Sequence, residues 1–109
     1  MGMVMDRYAI HLVKLDPSRD AETSKTRPCV VVSPNEMNRV LATVIIAPMT
    51  TVRRGWPSRI PVEFQGKAGE IALDQIRAVD KSRLTRRLGK LDEQTAVKLS
   101  QALGEMFAP

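Results

Sequence analysis

The sequence is poor in the residues that build disulfides, metal clusters and aromatic cores. Its 109 residues include one cysteine, Cys29, and one histidine, His11, and only 4% are aromatic. One cysteine cannot form an internal disulfide, and a lone thiol with a lone histidine cannot supply the ligands of a zinc site. We therefore predict no cofactor and no metal, with carboxylates as the only groups left that could hold magnesium. Cys29 lies in an apolar run and is expected to be buried.

Long hydrophobic segments are also missing. No run of about 18 apolar residues is present, so the sequence predicts no membrane-spanning helix and no membrane partner. The segment Met1–Met5 is too short and too uncharged for a signal peptide, so we expect a cytoplasmic protein. Hydrophobic residues still make up 43% of a chain without repeats or linkers. Residues 1–109 are therefore predicted to form a single domain with an aliphatic core.

Positive charge is concentrated in the second half of the chain. The whole sequence carries a formal charge of +5, and the span from Arg53 to Lys90 holds ten basic residues against four acidic ones. Such an excess suits a polyanion such as nucleic acid. A solvated basic surface that meets an acidic protein partner is the alternative, and charge alone does not separate the two.

Hydrophobic periodicity predicts about six short strands followed by one helix. Strands or extended pieces are predicted at residues 8–15, 28–33, 42–48, 60–65, 70–76, 76–79 and 85–91. Polar loops are predicted at 16–26 and 49–58, and a turn at 66–69. The helix is predicted at 92–107, with Asp92 as its N-cap and Ala96, Leu99, Leu103 and Met106 as its buried stripe. This order favours a mainly β fold, a small closed barrel with a helix packed on it.

Two polar residues next to the predicted loops are candidates for chemistry. Arg27 directly precedes one buried strand, and Thr50 follows another. A guanidinium offers a planar set of donors that matches phosphate oxygens, and a hydroxyl can donate to the same group. The alternatives are a surface salt bridge for Arg27 and a turn-capping hydroxyl for Thr50.

Short motifs in a fixed order carry a resemblance to a known family. The first group is Leu15-Asp16-Pro17-Ser18, Glu22, the run from Thr26 to Pro34, and Asn38-Arg39. The second group is Ala47-Pro48-Met49-Thr50-Thr51, Gly55-Trp56-Pro57 and Asp74-Gln75-Ile76-Arg77. In this order and spacing, from about Arg7 to Met106, the chain resembles the MazF/PemK toxin family.

The resemblance implies a fold, an activity and partners. The implied fold is a small SH3-like β-barrel of the CcdB–MazF type with a C-terminal helix. The implied activity is metal-independent, sequence-specific cleavage of single-stranded RNA, and the implied assembly is a homodimer. A cognate antitoxin is expected to cover the site with an acidic tail, and the toxin–antitoxin complex is expected to bind operator DNA.

The resemblance also assigns residues. Arg27 and Thr50 fall on the principal catalytic positions, and Asp74 and Gln75 fall on a pair proposed as catalytic in one branch. That branch also uses a histidine and an arginine where this chain has Ala21 and Ala72. Beside the catalytic set Arg27, Thr50 and Asp74, the predicted RNA contacts are Glu22, Lys25, Thr51, Arg53, Arg54, Trp56, Arg59 and Gln75. The arginines are expected to hold phosphates, and Trp56 either stacks on a base or anchors its loop.

The expected reaction is attack of an RNA 2′-hydroxyl on the neighbouring phosphate, which leaves a 2′,3′-cyclic phosphate. The proton acceptor is Asp74, or else the reaction depends mainly on positioning and charge. His11 is not expected to take part, because its neighbours indicate the other face of a strand. The alternatives are a CcdB-like gyrase poison, a non-catalytic nucleic-acid-binding barrel, and a degenerate toxin that only binds its antitoxin.

Overall fold

The computed structural model describes residues 5–15 and 25–109. Within these ranges the chain forms seven strands, two helices and two 3₁₀ turns. The strands are β1 (Ala9–Leu15), β2 (Lys25–Val31), β3 (Thr43–Thr50), β4 (Arg59–Phe64), β5 (Lys67–Ala72), β6 (Arg77–Asp80) and β7 (Leu84–Lys90). The helices are α1 (Asn35–Val40) and α2 (Glu93–Phe107), and the 3₁₀ turns are Leu73–Gln75 and Lys81–Arg83.

The strands form one antiparallel sheet in the order β4-β5-β3-β2-β1-β7, with β6 beside β3. Strand β3 lies between β2 on one edge and both β6 and β5 on the other. The sheet curls as a half-barrel, and α2 packs on one of its faces through Leu99. The predicted mainly β, barrel-like fold with a C-terminal helix is confirmed. The barrel is less completely closed than expected, because β4 and β7 form the two ends of the strand order.

Pro48 does not end β3 as the sequence suggested. On the edge that faces β6 and β5, pairing with β6 stops at Ile46 and pairing with β5 starts at Met49. Proline lacks an N–H and is tolerated where no ladder hydrogen bond is needed. Pro48 lies where the partner of β3 changes from β6 to β5. The strand therefore continues through Pro48, and Thr50 is its last residue and not part of a loop.

The β4–β5 turn is shorter than predicted. Gln65 and Gly66 alone connect the strands, and both have positive φ, 52° and 77°. Positive φ at both central residues is typical of the type I′ turn that the right-handed twist of a hairpin favours. Residues 67–69, predicted as turn, therefore belong to β5.

Both faces of the sheet are buried. One cluster comprises Ile10, Val30, Val32, Ala47, Met49, Ile60, Ile71, Leu73, Leu91 and Leu99. The other comprises Met5, Val13, Leu15, Cys29, Val31, Val44, Ile46, Val79 and Leu84. Consecutive residues such as Val30 and Val31 enter different clusters, because alternate side chains of a strand point to opposite faces. Neither cluster contains a buried aromatic residue in the described ranges, which agrees with the predicted aliphatic core.

Helix α2 follows the predicted bounds. The Asp92 side chain accepts a hydrogen bond from the Thr95 N–H at 3.2 Å, which confirms the N-cap. Leu99 is fully buried, and Ala96 and Leu103 pack partly against the core. The prediction for Met106 is wrong, because this residue is 39% exposed. No helix in the described ranges is long and apolar enough to cross a membrane.

Helix α1 was not predicted, because six residues are too few for a helical period to emerge. Its buried residue, Asn38, donates through Nδ2 to the Met5 carbonyl at 2.7 Å and to the Ser33 carbonyl at 3.0 Å. Ser33 Oγ in turn accepts a hydrogen bond from the Ile45 N–H at 3.0 Å. The Asn38 motif position therefore fastens the connection between β2 and β3.

We expect Leu99→Ala to lower the free energy of unfolding by about 2–5 kcal/mol, because it empties the contact between α2 and the sheet. Urea unfolding followed by circular dichroism measures this loss. Val97→Ala on the same helix is the control, because Val97 is half exposed and surface changes shift stability by about 0.5 kcal/mol or less. Equal losses in the two variants would contradict the packing described here.

Candidate functional site

A cleft of about 360 Å³ opens where β2 begins, β3 ends and the β4–β5 hairpin turns. Its walls are formed by Thr26, Arg27, Pro28, Met49, Thr50, Thr51, Val62, Phe64, Gln65, Lys67, Ala68 and Gly69. The apolar side chains come from the sheet, and the polar ones come from the strand ends and the hairpin. The cleft thus combines a rigid floor with a polar rim.

Arg27 and Thr50 lie in the walls of this one cleft although 23 positions separate them in sequence. Arg27 is held in the ladder opposite Val13 of β1, and Thr50 is held opposite Glu70 of β5. The Thr50 hydroxyl accepts a hydrogen bond from the Val52 N–H at 3.0 Å. A hydroxyl has one proton and two lone pairs, so this bond fixes the oxygen while its own proton can still be donated.

The hairpin adds Lys67 and Gln65 to the cleft, and no sequence pattern indicated either residue as part of a site. Lys67 was treated as a turn residue, and only the two-residue turn brings it into β5 beside the cleft. Arg27 and Lys67 give the walls two cations, and no carboxylate occurs among the described lining residues. Two cations and a buried hydroxyl suit a phosphodiester.

Gly69 allows β3 and β5 to approach each other at the cleft. A Cβ atom at this position would lie 2.4 Å from the Thr50 carbonyl oxygen, a backbone atom that cannot move aside. Any side chain at position 69 therefore pushes the end of β3 away from β5. The position of Thr50 depends on the absence of this single carbon atom.

Arg59 and Asp74 belong to an ion-pair network outside the cleft walls, in which the Asp74 side chain is 29% exposed. Arg59 Nε donates to Asp74 Oδ1 at 2.7 Å, and Nη2 donates to Asp74 Oδ2 at 3.1 Å. Arg59 Nη1 lies 3.5 Å from Glu70 Oε1, and the Arg59 side chain is fully buried. The Arg59 guanidinium thus faces two carboxylates of the protein, and the expectation that it holds an RNA phosphate stays a prediction.

Asp74 is poorly placed to act as a proton acceptor. The hydrogen bond from Arg59 lowers its pKa, burial opposes this effect, and Ser58 Oγ donates to Asp74 Oδ1 at 2.9 Å and lowers the pKa further. Asp74 is also absent from the cleft walls. A bidentate partner and a lowered pKa make a carboxylate a weak base. The role of Asp74 as proton acceptor stays a prediction.

The other predicted RNA contacts are distributed around the cleft. Thr51 lines it, Lys25 is exposed at the start of β2, and Gln75 lies in a 3₁₀ turn outside it. Arg53, Arg54 and Trp56 are exposed in the segment between β3 and β4. Glu22 lies outside the described residues.

His11 and Cys29 face each other across β1 and β2, away from the cleft walls. Both are fully buried, and neither His11 ring nitrogen has a hydrogen-bond partner. Burial lowers the pKa of His11, and the positive charge of Arg87 lowers it further. Burial raises the pKa of the Cys29 thiol to about 12.

Within residues 5–15 and 25–109, no three His, Cys, Asp or Glu side chains form a group that could hold a metal ion.

Comparison with known proteins gives consistent matches along the chain. The family model of the PemK-like, MazF-like toxins of type II toxin–antitoxin systems matches residues 6–107. The chain is 29% identical to endoribonuclease EndoA of Bacillus subtilis, over 93% of this chain and 92% of that protein. It is 30% identical to endoribonuclease MazF of Staphylococcus epidermidis, over 89% and 86%. A mycobacterial endoribonuclease solved with its cognate antitoxin superposes with a TM-score of 0.80 at 25% identity, covering 95% of this chain and 96% of that one.

The ion-pair network predicts a loss of stability in acid. Asp74 and Glu70 have lowered pKa values in the folded protein, so their contribution is present above the unfolded carboxyl pKa of about 4. It is lost as pH falls through their lower folded values. Asp74→Asn should reduce Tm at pH 7 and make Tm fall less steeply below pH 5. Thermal melts from pH 7 to pH 3 measure this effect.

Glu63→Gln, which changes an exposed carboxylate on β4, is the control for these melts and should follow the wild-type curve. A constant offset between wild type and Asp74→Asn at every pH would contradict a role for the Asp74 charge.

Proposed function

The chain belongs to the PemK-like, MazF-like toxins of type II toxin–antitoxin systems, and from this membership we propose that it is a toxin endoribonuclease. Relatives that align over most of its length carry the name endoribonuclease. The observation that carries the proposal is the single cleft that contains Arg27, Thr50 and Lys67. Its substrate is single-stranded RNA, cut at a short sequence motif.

The charge and shape of the surroundings support an RNA substrate. The cleft is open, its described walls contain two cations, and Arg53, Arg54 and Trp56 are exposed in the next segment of chain. Single-stranded nucleic acid is bound by cationic grooves together with aromatic platforms on which bases stack. Lys25, Thr51 and Gln75 remain proposed contacts, as does Glu22.

The reaction needs no metal. The RNA 2′-oxygen forms a bond to the adjacent phosphorus while the bond from phosphorus to the 5′-oxygen breaks, giving a 2′,3′-cyclic phosphate and a 5′-hydroxyl. Arg27 and Lys67 stabilise the extra negative charge of the phosphorane, and Thr50 donates a hydrogen bond to a non-bridging oxygen. Arg27 keeps its proton, because a guanidinium with a pKa above about 12 is a poor acid or base.

The proton balance follows from the position of Asp74. Because Asp74 is paired with Arg59, we favour the alternative in which catalysis depends on positioning and charge. The 2′-hydroxyl then loses its proton to water as it attacks, and the departing 5′-oxygen takes a proton from water. The enzyme contributes by aligning the reacting atoms and by stabilising the phosphorane.

The proposed partners follow from the family and from the charge of the cleft. The mycobacterial relative is bound to its cognate antitoxin, and an antitoxin with an acidic segment would neutralise the cations that RNA otherwise meets. We also propose a homodimer and a toxin–antitoxin complex that binds operator DNA.

Purified protein should cut a long unstructured RNA in excess EDTA, at one short motif, with cyclic-phosphate ends. An oligonucleotide with a 2′-deoxy residue at the cut position should bind but stay intact, because the attacking oxygen is missing. End mapping and a binding assay measure both outcomes. Cleavage of the deoxy substrate would overturn the mechanism, and intact RNA would favour a gyrase poison or a binding-only barrel.

Arg27→Ala should reduce kcat by at least about 100-fold, the usual cost of removing one donor to a developing oxyanion. Circular dichroism should show an unchanged fold, because Arg27 lies at the cleft wall and not in either core cluster. Arg39→Ala removes an exposed guanidinium on α1 and is the matched control. Full activity of Arg27→Ala would remove this residue from the site.

A further inference from the structure

Residues 51–58, which connect β3 and β4, form the Trp56 loop. We propose that Glu70 is a positioning residue that holds the Trp56 loop beside the cleft, so that Trp56 can receive an unpaired RNA base. This inference rests on the proposed function for its substrate, but its structural part can be measured without RNA.

Glu70 binds the backbone of the loop with both carboxylate oxygens. Oε1 accepts a hydrogen bond from the Arg54 N–H at 2.8 Å, and Oε2 accepts one from the Gly55 N–H at 3.0 Å. Gly55 has a φ of 68°, in the left-handed region that glycine adopts at little cost. The carboxylate therefore caps the bend of the loop directly before Trp56.

Glu70 also connects the loop to the cleft. It is the cross-strand partner of Thr50, and its side chain is only 5% exposed. Because β5 is rigid and the loop begins directly after Thr50, the two hydrogen bonds fix the loop relative to the cleft wall. Glu70 itself does not line the cleft and is separate from the proposed chemical step.

Trp56 packs against Arg59 of the same network and against Arg54 of its own loop. The Arg59 Cζ atom lies 4.8 Å from the centre of the indole ring, and the Arg54 Cζ atom lies 5.6 Å from it. These distances are within cation–π range. The Arg59 side chain is buried, while Trp56 is 48% exposed. The indole is thus anchored to the protein and still offers open ring surface for stacking with a base.

The negative charge of Glu70 matters for this arrangement. Burial alone would raise its pKa, but the Arg54 and Gly55 N–H groups and the Arg59 guanidinium outweigh burial and lower it. An amide in its place has one acceptor oxygen and an NH₂ group. In Glu70→Gln one of the two loop N–H groups would therefore meet a donor, and Arg59 would lose a counter-charge.

The first test uses Trp56 as its own reporter, because it is the only tryptophan in the chain. Glu70→Gln should increase acrylamide quenching of its fluorescence and lower its anisotropy, with little change in the circular dichroism spectrum. Glu63→Gln, an exposed carboxylate on the same hairpin, is the matched control and should leave both signals unchanged. Unchanged signals in Glu70→Gln would overturn the positioning role.

The second test separates binding from chemistry. With an RNA that carries the mapped motif, Glu70→Gln should raise KM about tenfold, the order of the loss when one base no longer stacks on an aromatic ring. We expect kcat to change less than about twofold. Binding of the same RNA with a 2′-deoxy residue at the cut position should weaken by the same factor. A loss confined to kcat would contradict the proposal.

A double-mutant cycle tests whether Glu70 acts through Trp56. If it does, Glu70→Gln should add little to the KM of Trp56→Ala, because the base platform is already missing. Additive effects would contradict the proposal. Wild-type protein that neither binds nor cuts RNA would overturn the proposed function, while the fluorescence result would still decide whether Glu70 positions the loop.

Discussion

The pairing of β3 is the constraint on which the rest of the structure depends. This strand joins β2 on one edge to β6 and β5 on the other, and it contributes side chains to both core clusters. The exchange of partners at Pro48 lets it continue to Thr50, and Gly69 lets β5 approach closely there. A hydroxyl at the end of such a strand is held by backbone pairing on rigid elements, as precise chemistry requires.

Basic residues in the same stretch of sequence have different roles. Arg59 is buried and paired with Asp74 and Glu70, so its charge is neutralised inside the fold. Removing both carboxylates would leave the buried Arg59 guanidinium without a counter-charge, which is strongly destabilising. Lys67, in contrast, lies in the wall of the cleft. This network takes one basic and two acidic residues out of the span from Arg53 to Lys90. The rest of the span holds nine basic residues against two acidic ones, so the local excess of positive charge is not reduced.

Local patterns predicted much of the fold and the central part of the candidate site. Alternation and β-branched runs indicated the main strands, helical spacing indicated α2, and the strand ends pointed to Arg27 and Thr50. Lys67 could not be found in this way, because its place depends on a two-residue turn at Gln65 and Gly66, whereas the sequence predicted a four-residue turn at 66–69. The pair of Arg59 and Asp74 depends on contacts between residues 15 positions apart. Sequence position suggested a phosphate contact for Arg59 and the family resemblance suggested a base for Asp74, whereas the tertiary structure pairs the two side chains.

The reactivity of Cys29 can report on opening of the sheet at its centre. Its thiol is fully buried between two strands, and its pKa of about 12 leaves almost no thiolate at neutral pH. Only the thiolate reacts readily with alkylating reagents or disulfides. Since Cys29 is the only cysteine in the chain, its rate of alkylation follows how often the sheet opens at β1 and β2. Alkylation of Cys29, followed by mass spectrometry, therefore reports on opening of the sheet without an engineered cysteine.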